Sequence, residues 1–98
     1  MNAIYPAKFI YEDTGGYSVL FPDLKGCATF GDNPEHALSM AREAMGLYLA
    51  ALEEHNHSAP PASSIAVLEA TAQPGEQVVR VMVDLNDYRR NKAKTLTA

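Results

Sequence analysis

Residues 4–12 alternate, with Tyr5, Ala7, Phe9 and Tyr11 to one side and Ile4, Pro6, Lys8, Ile10 and Glu12 to the other. A period of two with aromatic and β-branched residues predicts a strand. Pro6 has no backbone N–H and belongs near the start of that strand or at a sheet edge. Asp13-Thr14-Gly15-Gly16 reads as a turn, because glycine enters positive φ without a steric penalty. Residues 17–21 resume the alternation through Tyr17, Val19 and Phe21 and complete a hairpin. Pro22 to Gly26 break the run, and residues 27–30 predict a short antiparallel third strand ending at Gly31.

A helix opens next, at Asp32-Asn33-Pro34-Glu35. Either Asn33 is the N-cap with Pro34 at the first helical position, or Asp32 is the cap with Glu35 three residues on. Leu38, Ala41, Met45, Tyr48 and Leu52 step by three and four and form one apolar face. Gly46 is costly inside a helix, by about 1 kcal/mol relative to Ala, and points to a close approach to the sheet. The helix fades over residues 55–58, since Pro60-Pro61 cannot continue it. Residues 56–64 form a loop. Residues 65–72 are ambiguous, their Ala, Leu and Glu content favouring a short helix capped by Ser63 or Ser64. After a turn at 73–76, residues 77–85 form the strongest strand. Val79, Val81, Val83 and Leu85 share one face, while Val78, Arg80, Met82 and Asp84 share a mixed, partly wet one. The order β-β-β-α-(α)-β predicts an α+β fold: a mostly antiparallel three- to four-stranded sheet with one main helix packed on one face.

Composition thins the core. Ninety-eight residues make one domain, fifteen of them Ala and only twenty-one Leu, Ile, Val or Phe. A homo-oligomer, in the simplest case a dimer, is expected to add the missing burial. No run of eighteen apolar residues exists to span a membrane. Met1 to Pro6 show no basic-then-apolar leader, and the single cysteine, Cys27, cannot form an internal disulfide. A cytoplasmic location is the expectation.

Charge is split along the chain. Residues 1–88 hold all twelve acids and four bases, a net −8, whereas residues 89–98 hold Arg89, Arg90, Lys92 and Lys94, a net +4. An acidic body repels nucleic acid and attracts a basic protein. The basic end could touch phosphates, with Arg89 and Arg90 foremost, but four charges alone bind weakly and in a salt-sensitive way.

Little in the chain points to catalysis. No phosphate loop is present, as Gly15-Gly16 and Gly26 lack the spacing and the following Lys. His55 and His57 lie two apart with no Cys or carboxylate motif to complete a metal set, and read as loop histidines. His36 falls in the first helical turn, a poor place for a cation. Cys27 reads as a small buried hydrophobe rather than a nucleophile. Glu12-Asp13, Glu53-Glu54 and Asp84 with Asp87 are read as solvated ends, and adjacent strand acids point to opposite faces. Tyr5, Tyr11 and Tyr17 read as half-buried hairpin aromatics rather than a base-stacking surface. No catalytic residue, metal or cofactor is expected.

The string from Phe21-Pro22-Asp23-Leu24 through Gly26-Cys27 to Gly31-Asp32 resembles the HicB antitoxin family. The resemblance continues through Glu35, Ala37, Leu38, Ala41 and Ala44, a Pro-rich loop, and a strand ending near Asp84-Leu85 and Tyr88-Arg89, so it covers residues 4–90. It implies a partial ribonuclease H-like fold without nuclease activity. It also implies a small basic partner, a HicA-type toxin that cleaves messenger RNA and carries a catalytic His, which the antitoxin masks. Many members add a C-terminal segment that binds their operator DNA. Residues 1–88 are then the toxin-binding domain and residues 89–98 resemble the linker into such a segment, so DNA would be bound only through a segment this chain does not include. No short motif marks the toxin contacts. Asp23, Asp32 and Glu35 are the candidates, expected to be acidic, exposed and clustered, with turn and capping roles as the competing reading for Asp32.

Overall fold

A computed structural model describes residues 2–88. Its elements are β1 (Asn2–Tyr11), β2 (Tyr17–Leu20), β3 (Ala28–Gly31), α1 (Pro34–Glu54), α2 (Ile65–Ala70) and β4 (Glu76–Asp84). The four strands form one sheet in the order β3-β2-β1-β4, every neighbouring pair antiparallel. The helix α1 packs against one face, which gives the α+β fold expected from the alternation.

Register follows from burial. Phe9 lies opposite Val19 and Tyr5 opposite Val81, and all four are buried under α1. A slip of one residue would turn each of them to solvent. The β1–β2 turn is closed by the Gly15 N–H donating to the Glu12 carbonyl at 2.9 Å. Gly15 and Gly16 have φ of +99° and +82° there.

Pro6 sits inside β1 rather than at its start, and β1 is a central strand. The β1–β2 ladder begins only at Lys8 opposite Leu20. At Pro6 the strand is flanked by β4 alone, through Arg80, so locally it behaves as the edge that a missing N–H requires.

The buried line of α1 runs through Ala37, Ala41, Met45 and Leu49, centred on the same direction as the expected face of Leu38, Ala41, Met45, Tyr48 and Leu52 and sharing Ala41 and Met45 with it. Leu38, Tyr48 and Leu52 are half-buried and pack against this core. Small residues face the sheet because the helix approaches it closely: a Cβ on Gly31 would lie 2.3 Å from the Ala37 backbone. Gly46 serves a different neighbour from the one expected. The Tyr88 ring, following β4, lies where its Cβ would be, at 2.5 Å.

At the start of α1 the cap is Asn33, whose Oδ1 accepts the His36 N–H at 2.8 Å, with Pro34 next in the helix. Ser64 occupies the N-cap position of α2 without a side-chain capping bond. Tyr5 is buried and Tyr17 half-buried, but Tyr11 is 56% exposed and meets Tyr17 edge-on at 5.5 Å.

Candidate functional site

The three candidate carboxylates do not gather in one place. Asp23 follows β2, whereas Asp32 follows β3, and these strands run in opposite directions. The length of β3 therefore separates them, roughly 13 Å at the usual rise per residue. Asp32 and Glu35 remain neighbours at the β3–α1 junction, both exposed.

Asp23 is engaged within the chain. It sits in the tight connection where the Leu24 N–H donates to Phe21 and the Cys27 N–H to Leu24. Its Oδ2 accepts the Ser63 N–H at 2.8 Å, and its Oδ1 accepts the Ser63 hydroxyl. Beside it, the Tyr5 hydroxyl donates to the Pro60 carbonyl. Burial, and then the negative charge of Asp23, push the Tyr5 phenol above its ordinary pKa. These bonds strap the loop between α1 and α2 onto the body. Their signal in the sequence was a Ser pair forty residues from an Asp, and no local pattern joins such partners.

Asp32 is freer. Its N–H donates to His36 Nδ1 at 2.9 Å, and its carboxylate lies 3.7 Å from the same nitrogen. Its side chain is 81% exposed. With Glu35 it presents two acids at the positive end of the α1 dipole.

Arg89 and Arg90 lie outside the described residues. Cys27 is buried, and burial raises its thiol pKa, as suits a small core residue. The His55 and His57 rings stand 6.4 Å apart, nearly perpendicular. Among the described residues, no three His, Cys, Asp or Glu side chains form a group able to hold a metal ion. No helix among them is long and apolar enough to cross a membrane.

Two apolar surfaces were not anticipated. On the sheet face away from α1, Ile4, Leu20, Phe30 and Met82 are each 42–52% exposed. Ile4 pairs with Met82 across β1 and β4. This face also carries Lys8, 3.6 Å from Glu76, and Arg80. On α1, Leu47 is 58% exposed at the rim of a groove of about 330 Å³. The groove runs between α1 and the segment leading into β3. A helical wheel would have flagged Leu47, since it shares its stripe with Glu43 and Glu54 rather than with Met45.

Comparison with known proteins places this arrangement. Residues 5–96 match the family described as HicB_like antitoxin of bacterial toxin-antitoxin system. Antitoxin HicB 2 of Photorhabdus laumondii is 46% identical over 44 residues, 45% of this chain. The match spans about a third of that relative, 31% of its length. A toxin-antitoxin complex from Streptococcus pneumoniae contains a similar chain, with a TM-score of 0.78 at 31% identity over 90% of this chain and 73% of that one. The N-terminal domain of Burkholderia pseudomallei antitoxin HicB has a TM-score of 0.74 at 26% identity, over 85% of this chain and all of that one. The family match over nearly the whole length, on a sheet and helix of the same design, shows that the chain belongs to the HicB-like antitoxin family of bacterial toxin-antitoxin systems.

Proposed function

We propose that this chain neutralises a HicA-type messenger-RNA-cleaving toxin by covering its cationic RNA-binding surface. The observation that carries this reading is the charge of the body: residues 2–88 bear twelve acids against four bases. Such a field attracts a protein built to hold phosphates and repels the RNA itself. The resemblance to a chain within a toxin-antitoxin complex supports it. The chain acts by binding, without catalysis of its own. Asp32 and Glu35 are exposed together and are contacts for basic side chains in this reading, whereas Asp23 holds the loop. Residues 1–88 act as the toxin-binding unit.

The test uses the small basic protein encoded beside this chain and a labelled RNA. Equimolar chain stops cleavage. Continued cleavage with the chain in excess overturns the proposal.

The exposed apolar face of the sheet supports self-association as a homodimer, which sedimentation measures. The four bases and no acids of residues 89–98 favour a second role at the operon's own operator, read by a gel shift with that promoter.

A further inference from the structure

The groove beside Leu47 has the chemistry of a docking site for a cationic protein. One wall is the Gly26–Ala28 segment, and the other is Ala44, Tyr48 and Ala51 of α1. Apart from Tyr48's hydroxyl, these side chains are apolar or absent. Leu47 stands at the rim, more than half exposed, in a helix whose other apolar side chains mostly turn inward. Glu43 precedes it by one turn and Glu54 follows by two, on the same solvent-facing stripe and both exposed. The only base of α1, Arg42, lines a neighbouring cleft with Met82 and Tyr88, and Glu43 lines that cleft too, between Arg42 and Leu47. Lys25 is the nearest cation in sequence to the groove's other wall.

The outer face of the sheet is the competing surface, and its charge is mixed. It carries Lys8 and Arg80, two of the four bases among residues 2–88, together with Glu76, 3.6 Å from Lys8, and Asp84. A cationic surface approaching there meets bases already balanced by acids, whereas beside Leu47 it meets the exposed carboxylates of Glu43 and Glu54. An apolar anchor ringed by polar groups is the usual anatomy of a binding hot spot.

We propose that the toxin docks on this ledge, inserting an apolar side chain into the groove beside Leu47 while its basic residues meet Glu43 and Glu54. This rests on the neutralisation reading above and names the surface that performs it.

The experiment measures binding of the small basic protein encoded beside this chain to four full-length forms: wild type, Leu47→Arg, Ala51→Arg and Val67→Arg. Leu47 and Ala51 are exposed at the groove, so both variants should fold, as circular dichroism checks. Val67 is 61% exposed on α2 and serves as the control. Leu47→Arg and Ala51→Arg are expected to weaken binding by about tenfold or more, with Val67→Arg binding like wild type. Should one groove variant unfold, the folded one decides. Groove variants that bind like wild type overturn the ledge and leave neutralisation standing. Equal weakening by Val67→Arg also overturns it, since the effect then belongs to added charge anywhere on the body. A wild-type chain that fails to bind removes the neutralisation reading and the ledge together.

Discussion

Tyr5 shows how one side chain serves both core and loop. Its ring is buried among Phe9, Val81 and their neighbours, and its hydroxyl reaches the Pro60 carbonyl. Burial, reinforced by Asp23, raises its pKa above the ordinary value of 10.0. A raised folded-state pKa means the native chain holds the phenol proton more tightly than the unfolded chain. Its contribution to stability is therefore complete below about pH 10 and is lost as pH climbs through the folded-state value. Tyr5→Phe is expected to lower stability by about 1 kcal/mol at neutral pH, through loss of one hydrogen bond. It should also shrink the alkaline loss of stability, measured by urea titration between neutral pH and pH 11. Asp23 makes the companion prediction. Asp23→Ala removes both bonds to Ser63 and should speed amide exchange in residues 59–64. Toxin affinity should hold, because the carboxylate serves the loop. A large loss of affinity with unchanged exchange would make Asp23 a toxin contact instead. Cys27 is a third case, a thiol removed from water and raised in pKa. It should react slowly with a disulfide reagent at pH 8 in the native chain and rapidly in denaturant.

The helix α1 is the element on which both the packing and the proposed interface depend. Met45 is wholly buried between it and the sheet, so Met45→Asp strands a carboxylate where nothing can pair it. The cost is several kcal/mol, set against a total stability of about 5–15 kcal/mol for a domain. The variant should be unfolded by circular dichroism. The two glycines at close contacts of α1, Gly31 in β3 and Gly46 within the helix, should differ. A Cβ on Gly31 meets the Ala37 backbone, which cannot move aside, whereas on Gly46 it meets the Tyr88 ring, which can. Gly31→Ala should therefore destabilise more than Gly46→Ala. In a Tyr88→Ala background, Gly46→Ala should become neutral or stabilising, since only the gain in helix propensity remains, up to about 1 kcal/mol. Equal effects in both backgrounds would remove Tyr88 as the reason for this glycine. The same elements show what could be read in advance. The hairpin, the Asn33-Pro34 entry and the β4 alternation are local patterns, and all appear in the structure. The apolar face of α1 was legible through Ala41 and Met45, but Ala37 was not, because an alanine carries little hydrophobic signal, yet a close approach selects it over Leu38. The tolerance of Pro6 inside a central strand depended on where β2 ends, which is a property of the pairing and not of β1.

For the whole molecule, electrostatics is the property that binds structure to function, and it was largely legible, since charge counts need no fold. What needed the fold was its distribution. Asp23, Asp32 and Glu35 looked like one patch in the sequence, but antiparallel β2 and β3 send the first to one end of the sheet and the others to the opposite end. The Asp23–Ser63 strap and the Leu47 ledge arise from contacts or exposures that no short motif encodes. If the acidic body draws in a basic toxin, its long-range field should act mainly on association. Raising ionic strength from about 0.05 M to about 0.5 M shortens the screening length from roughly 14 Å to roughly 4 Å. The association rate should then fall by about tenfold or more, while dissociation, governed by contacts already formed, changes far less. Glu54→Lys tests the same field locally: it reverses one exposed charge beside Leu47 and should slow association several-fold at low salt, with the difference fading at high salt. Stopped-flow binding of the co-encoded basic protein measures both. An association rate indifferent to salt would mean that the −8 of the body serves solubility, and that recognition rests on apolar fit alone.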